Sequence, residues 1–219
     1  MILAHWDENS KVLSLKIVFY GPALSGKTTN LIALHELLHP ELKGDMQILE
    51  TKDDRTLFFD LLPLGVRLDD GILIKLKAFT VPGQVVHNST RKAVLSRADG
   101  IIFVADSQTN QSENNAESFN NLIQNTKVLG MDIQDTPLVI QFNKRDLKNT
   151  LSKEEIKQRW SQTPWNLFFA SALEKKGVVE TFADLLASVY ASIDEEFQLE
   201  NLHKLSKKQF VSELIGDVE

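Results

Sequence analysis

Gly21-Pro22-Ala23-Leu24-Ser25-Gly26-Lys27-Thr28 sets two glycines, a lysine and a hydroxyl at the spacing G-x-x-x-x-G-K-[ST]. Residue types in this order suit one chemistry, the holding of a phosphate chain. Backbone N–H groups of Gly21, Leu24, Ser25 and Gly26, and of Lys27, Thr28 and Thr29 in the turn that follows, can point inward and cradle phosphate oxygens. The Lys27 ammonium is expected to reach the β- and γ-phosphates, and the Thr28 hydroxyl to ligate Mg²⁺. Such a loop needs a strand before it and a helix after it. Residues 15–20 (LKIVFY) form a β-rich apolar run, and 29–38 carry a helical pattern.

A phosphate loop alone does not choose a base. Asn143-Lys144-Arg145-Asp146 follows the apolar run 137–142 (PLVIQF). That places it at the C-terminal edge of a sheet, where α/β proteins bind ligands. Guanine presents two adjacent donors, N1–H and N2–H₂, and an ionised carboxylate at Asp146 accepts from both. Adenine offers an acceptor at N1 and matches Asp146 badly, so such a site rejects it strongly. Asn143 would brace the base edge and the phosphate loop, and the stem of Lys144 would lie over the ring. Ser171-Ala172-Leu173 follows the run 167–170 (LFFA), and the Ala172 N–H there could donate to guanine O6.

Strands at 15–20, 57–62, 72–79, 100–105, 137–142 and 166–170 would carry these motifs, with helices at 27–38, 88–97, 113–129, 152–160 and 177–197. Continuous apolar runs such as 101–105 (IIFVA) suit strands buried on both faces of a mainly parallel sheet. Strand–helix alternation then argues for a three-layer α/β fold. Gly65 and Asp69-Asp70-Gly71 separate 57–62 from 72–79 and imply a hairpin, hence one antiparallel edge strand. The expected sheet has six strands.

With 219 residues the chain fits one large domain, or one domain with an extension. A net charge of -6 argues against a broad nucleic-acid footprint. The absence of cysteine excludes disulfides, thiolate metal sites and cysteine-linked lipids. The start MILAHWDE has neither a basic n-region with a long apolar run nor a glycine for myristoylation. With no apolar stretch of membrane-spanning length, a soluble cytoplasmic protein without a lipid anchor is expected. The five histidines are scattered and suggest no metal cluster, and Trp160 and Trp165 are expected to pack. Beyond Asp194, apolar residues Phe197, Leu202, Leu205, Phe210, Leu214 and Ile215 recur at helical intervals. That tail is either a helix packing back on the domain or a helix for a partner or a membrane surface.

The order of these motifs resembles the Ras superfamily of small GTPases, and within it the bacterial gliding-motility GTPases of the MglA family. The runs that carry it are 16–31 (KIVFYGPALSGKTTNL), 54–63 (DRTLFFDLLP), 80–84 (TVPGQ), 98–107 (ADGIIFVADS) and 137–147 (PLVIQFNKRDL). The likeness spans about residues 10–190. It implies a P-loop GTPase fold with a GTPase domain over 1–195 and a helical extension over 196–219. It also implies GTP and GDP with Mg²⁺ as ligands, a monomer when free, effectors that the sequence does not name, and a roadblock-fold activating partner of the MglB type.

By the same resemblance Thr56 lies in switch I, where its hydroxyl completes the Mg²⁺ shell and senses the γ-phosphate. Gly83 would donate its N–H to the γ-phosphate, and Gln84 would orient the attacking water. Arg55 resembles an arginine finger supplied by the GTPase itself, entering when a partner reorders the loop. Two departures stand out. Thr80 occupies the place where most Ras-like proteins carry a magnesium-linked aspartate, as it does in the MglA family, and implies weaker magnesium binding. Ala23 replaces a glycine, so a methyl faces the γ-phosphate and slow intrinsic hydrolysis is expected. Val86-His87 stands where the family often has an aromatic pair. The expected activity is a GTP-hydrolysing switch in cell polarity or gliding motility. Its rivals are a GTP-dependent binding module with very slow turnover, and a P-loop kinase, against which the guanine motif and Gln84 argue.

Overall fold

The computed structural model describes residues 4–50 and 58–216. The chain enters through a short hairpin in which His5–Asp7 (β1) pairs antiparallel with Val12–Tyr20 (β2). Asp7 shapes its turn by accepting from the N–H groups of Asn9 and Ser10 and from Ser10 Oγ. The elements that follow are Lys27–Leu37 (α1), Gln47–Glu50 (β3), Phe58–Arg67 (β4), Leu73–Thr80 (β5), Asn88–Leu95 (α2), Gly100–Asp106 (β6), Ser112–Val128 (α3), Leu138–Asn143 (β7), Lys153–Arg159 (α4), Leu167–Phe169 (β8), Val178–Phe197 (α5), Leu199–His203 (α6) and Lys207–Ile215 (α7).

The sheet runs in the order β3-β4-β5-β2-β6-β7-β8, with β1 added on β2. From β5 to β8 the neighbours are parallel, and β4 runs antiparallel to both of its neighbours, β3 and β5. All seven residues of β6 are buried, as its unbroken apolar run requires of a strand covered on both faces. Helices α1 and α5 cover one face and α2, α3 and α4 the other, so the three-layer fold is as expected.

Among the described residues the sheet has eight strands, against the six expected. β1 is three residues long, too short to show a period, and it finds room because β6 begins only opposite Ile17 of β2. β3 is a four-residue strand that takes the edge position expected of β4. β4 also runs on to Arg67, through Pro63, where a strand stop was expected. The Pro63 carbonyl accepts from Gly44 N, so its backbone polar side faces away from β5. The missing N–H therefore costs no bond in the β4–β5 ladder.

The tail packs back on the domain. Leu199, Leu205, Phe210 and Leu214 are fully buried in the core that contains α1 and α5. Tyr190 Oη on α5 donates to Leu205 O at 2.5 Å, and Trp6 of β1 lies 4.7 Å from the His203 ring. Trp160 and Trp165 pack edge-on against Phe119. Among the described residues no helix is long and apolar enough to cross a membrane, and no group of three or more His, Asp or Glu could hold a metal.

Candidate functional site

The C-terminal ends of the parallel strands converge on two joined clefts. One, of about 510 Å³, is lined by Ala23, Lys27, Thr28, Asp60, Thr80, Gly83 and Gln84 among others. The other, of about 300 Å³, is lined by Asn143, Lys144, Asp146, Leu147 and Leu173. Leu24, Gly26 and Thr29 line both.

The loop between β2 and α1 separates the clefts. Gly26 sits at φ +96°, and a Cβ there would stand 2.2 Å from Asn143 Nδ2, so only glycine fits. The N–H groups of Ala23, Leu24, Gly26, Lys27, Thr28 and Thr29 find no acceptor among the described residues. Orphan donors at a helix N-terminus form a cradle for an anion. Lys27 is buried, and its Nζ donates to Pro22 O at 2.6 Å and Gly21 O at 3.2 Å. Burial, reinforced by the charge of Arg91 and opposed by Asp60, pulls the Lys27 ammonium down to about 7.

Sequence reasoning missed Asp60. The antiparallel register that pairs Leu61 with Phe79 sets Asp60 of β4 beside Thr80 of β5. Asp60 Oδ2 accepts from Thr28 Oγ1 at 2.6 Å and from Thr80 Oγ1 at 2.9 Å, while Asp60 N donates to Thr80 Oγ1 at 2.9 Å. Oδ1 has no donor among the described residues. The carboxylate lacking at position 80 is thus supplied from the neighbouring strand. The available signal was the aspartate ending the run DRTLFFD, one hairpin away from Thr80.

At the second cleft Asn143 ties the parts together. Its Nδ2 donates to Ser25 O and its Oδ1 accepts from Ala172 N, both at 2.9 Å. The Ala172 N–H, expected to face guanine O6, is therefore engaged by the protein. The adjacent Leu173 N–H is the donor without an acceptor among the described residues. Asp146 Oδ1 accepts from Ser171 Oγ at 2.7 Å, leaving Oδ2 open. Lys144, at φ +65°, is anchored to Asp106 by an ion pair of 2.6 Å, which fixes its stem along the cleft wall. Leu24 and Leu173 are 88% and 77% exposed at the rim, apolar surface suited to a flat ring.

Gly83 lies against the phosphate loop: a Cβ on it would come within 2.3 Å of Ala23 Cα. Gln84 is exposed beside it and lines the same cleft. Arg55 and Thr56 lie outside the described residues. Every other expected site residue falls at one of the two clefts or in the loops that frame them.

The chain matches the ADP-ribosylation factor family over residues 68–189, more than half its length. The mutual gliding-motility protein MglA of Myxococcus xanthus is 42% identical over 173 residues, which cover 79% of this chain and 89% of that protein. ADP-ribosylation factor-like protein 4A of Homo sapiens is 29% identical over 173 residues, covering 76% and 79%.

Proposed function

This chain belongs to the ADP-ribosylation factor family of small GTPases, close to MglA, and on that footing we propose how it acts as a GTP-hydrolysing switch. Guanine enters the smaller cleft between the Lys144 stem and the apolar rim. Asp146 accepts from N1–H and N2–H₂, and the free N–H at the 171–173 turn meets O6. The phosphates follow the orphan N–H groups of the loop. Lys27 leaves Gly21 O and Pro22 O for the β- and γ-oxygens, which restores the full charge that burial opposes.

Thr28 Oγ1 and the Asp60 carboxylate would hold Mg²⁺, with Thr56 completing the shell. Hard oxygen donors with one carboxylate oxygen open fit that ion. Bound there, Mg²⁺ supplies charge neutralisation across the β- and γ-phosphates. Thr80 holds Asp60 in place through two hydrogen bonds. The Gly83 N–H meets the γ-phosphate, Gln84 orients the attacking water, and Arg55 stabilises the charge that develops in transfer. Loss of the γ-phosphate frees switch I and the Gly83 turn together, which resets the switch.

The likeness to MglA supports a role in gliding motility and cell polarity, with a roadblock-fold protein of the MglB type stimulating hydrolysis. Ala23 lines the phosphate cleft together with Gly83 and Gln84, and a methyl there in place of a glycine supports slow turnover without that partner, since it would crowd the approach of water to the γ-phosphate.

The observation that carries the guanine reading is Asn143, which joins the phosphate loop to the 171–173 turn while Asp146 keeps an oxygen open. Competition binding of GTP against ATP tests it. Preference for GTP by at least about a hundredfold is expected, and equal binding would return the P-loop kinase reading.

A further inference from the structure

The helix after the Pro82-Gly83-Gln84 turn, α2, carries a buried cation. Arg91 on α2 is 0% exposed, and no carboxylate pairs with it among the described residues. Burying an unpaired guanidinium is costly unless its N–H groups are satisfied. Neutral acceptors do this here. Nε donates to Tyr20 Oη at 3.0 Å and Nη2 to Ser118 Oγ at 2.8 Å. Nη1 donates to two carbonyls, Pro82 O at 3.2 Å and Gly83 O at 2.8 Å. The guanidinium also lies 4.3 Å from the centre of the Tyr20 ring.

These acceptors are held in turn. Tyr20 Oη donates to Asn121 Oδ1 at 2.6 Å and accepts from Asn125 Nδ2 at 2.8 Å. Asn121 and Asn125 both donate to Asn88 Oδ1, at 3.0 and 2.7 Å. Arg91 is therefore the hub of a polar network that joins β2, α2 and α3 and ends on the two carbonyls.

The carbonyls give the hub a purpose. Pro82 O shares a peptide with the Gly83 N–H, and Gly83 O shares one with the Gln84 N–H. No peptide of the described chain is cis, and in a trans peptide C=O and N–H point in opposite directions. Drawing both carbonyls toward Arg91 turns both N–H groups the other way, and Pro82, Gly83 and Gln84 line the cleft together with Ala23, Lys27 and Thr28. Neither N–H has an acceptor among the described residues.

We propose that Arg91 is a positioning residue for the γ-phosphate: it fixes the peptide planes at 82–84 so that the Gly83 and Gln84 N–H groups face the site. It thereby makes the protein prefer GTP over GDP. The inference rests on the reading of Gly83 given above. A lysine at this position could not hold two carbonyls, a phenol and a hydroxyl at once, because it lacks the planar fork.

The test measures affinity for GDP and for a non-hydrolysable GTP analogue, both with Mg²⁺, on wild type, Arg91→Lys, Arg91→Met and Ser118→Ala. Backbone amide NMR at Gly83 accompanies it. The ratio of analogue to GDP affinity is expected to fall about tenfold in Arg91→Lys and further in Arg91→Met, with GDP affinity little changed. Ser118→Ala, away from the carbonyls, should lower it less. The Gly83 amide should move when the analogue replaces GDP in wild type and stay put in Arg91→Lys. If folded variants lose affinity for both nucleotides equally, Arg91 is only a structural support and the proposal is overturned. Should Arg91→Met fail to fold, Arg91→Lys and Ser118→Ala decide the matter. A wild-type Gly83 amide indifferent to the analogue would sink the γ-phosphate reading itself, an outcome separable from failure of Arg91 alone.

Discussion

The base cleft and the phosphate cleft share a loop but are organised in opposite ways. At the base cleft the protein's bonds hold recognition groups ready: Asn143 is tied at both ends, Lys144 is pinned to Asp106, and Asp146 keeps Oδ2 open. At the phosphate cleft the same kinds of group satisfy one another. Lys27 donates into its own loop, and Thr28 and Thr80 share one oxygen of Asp60. Ligand can enter the first without breaking a protein bond, but in the second bonds must be exchanged. Recognition is preset where identity matters, and exchangeable where the state of the switch must change.

The largest effect expected on that contrast lies on the phosphate side. Arg55→Ala should cut partner-stimulated phosphate release about a thousandfold while leaving GDP affinity intact. An unchanged stimulated rate in single-turnover assays would remove Arg55 from the mechanism. Next comes the base side. Asp146→Asn should weaken GTP about a hundredfold, because an amide cannot accept from both guanine donors. The same variant should gain affinity for xanthosine nucleotides, whose C2 carbonyl meets the new amide N–H. Equal losses for every nucleotide would mean that Asp146 only supports the loop.

How much of this was legible in the sequence follows the same division. The phosphate loop and the Asn143–Asp146 motif are contiguous, and each sits at the end of a long apolar run, so their elements could be read directly. β1 and β3 escaped because three or four residues cannot display a period, and β4 was cut short at a proline whose tolerance depends on which neighbour its backbone faces. Asp60 and Arg91 escaped for a shared reason. Asp60 acts through the register of a hairpin and Arg91 through a helix folded back on the turn before it, and neither distance is a spacing along the chain.

Two smaller effects sharpen the phosphate side. Asp60→Asn should raise the Mg²⁺ concentration needed for half-maximal hydrolysis about tenfold, since one carboxylate becomes neutral. A metal titration that superimposes on wild type would return magnesium to Thr28 and Thr56 alone. Ala23→Gly should speed intrinsic hydrolysis by about threefold, by removing the methyl from the cleft that Gly83 and Gln84 also line. An unchanged intrinsic rate would place the slow step elsewhere.

The most direct measurement is amide hydrogen exchange on the protein with Mg²⁺ and either GDP or a non-hydrolysable GTP analogue. Exchanging one nucleotide for the other should change protection across 51–60 and 80–87 and leave 143–147 and 171–173 alike. Equal changes at the base cleft, or none around Gly83, would contradict a preset base site joined to an exchangeable phosphate site.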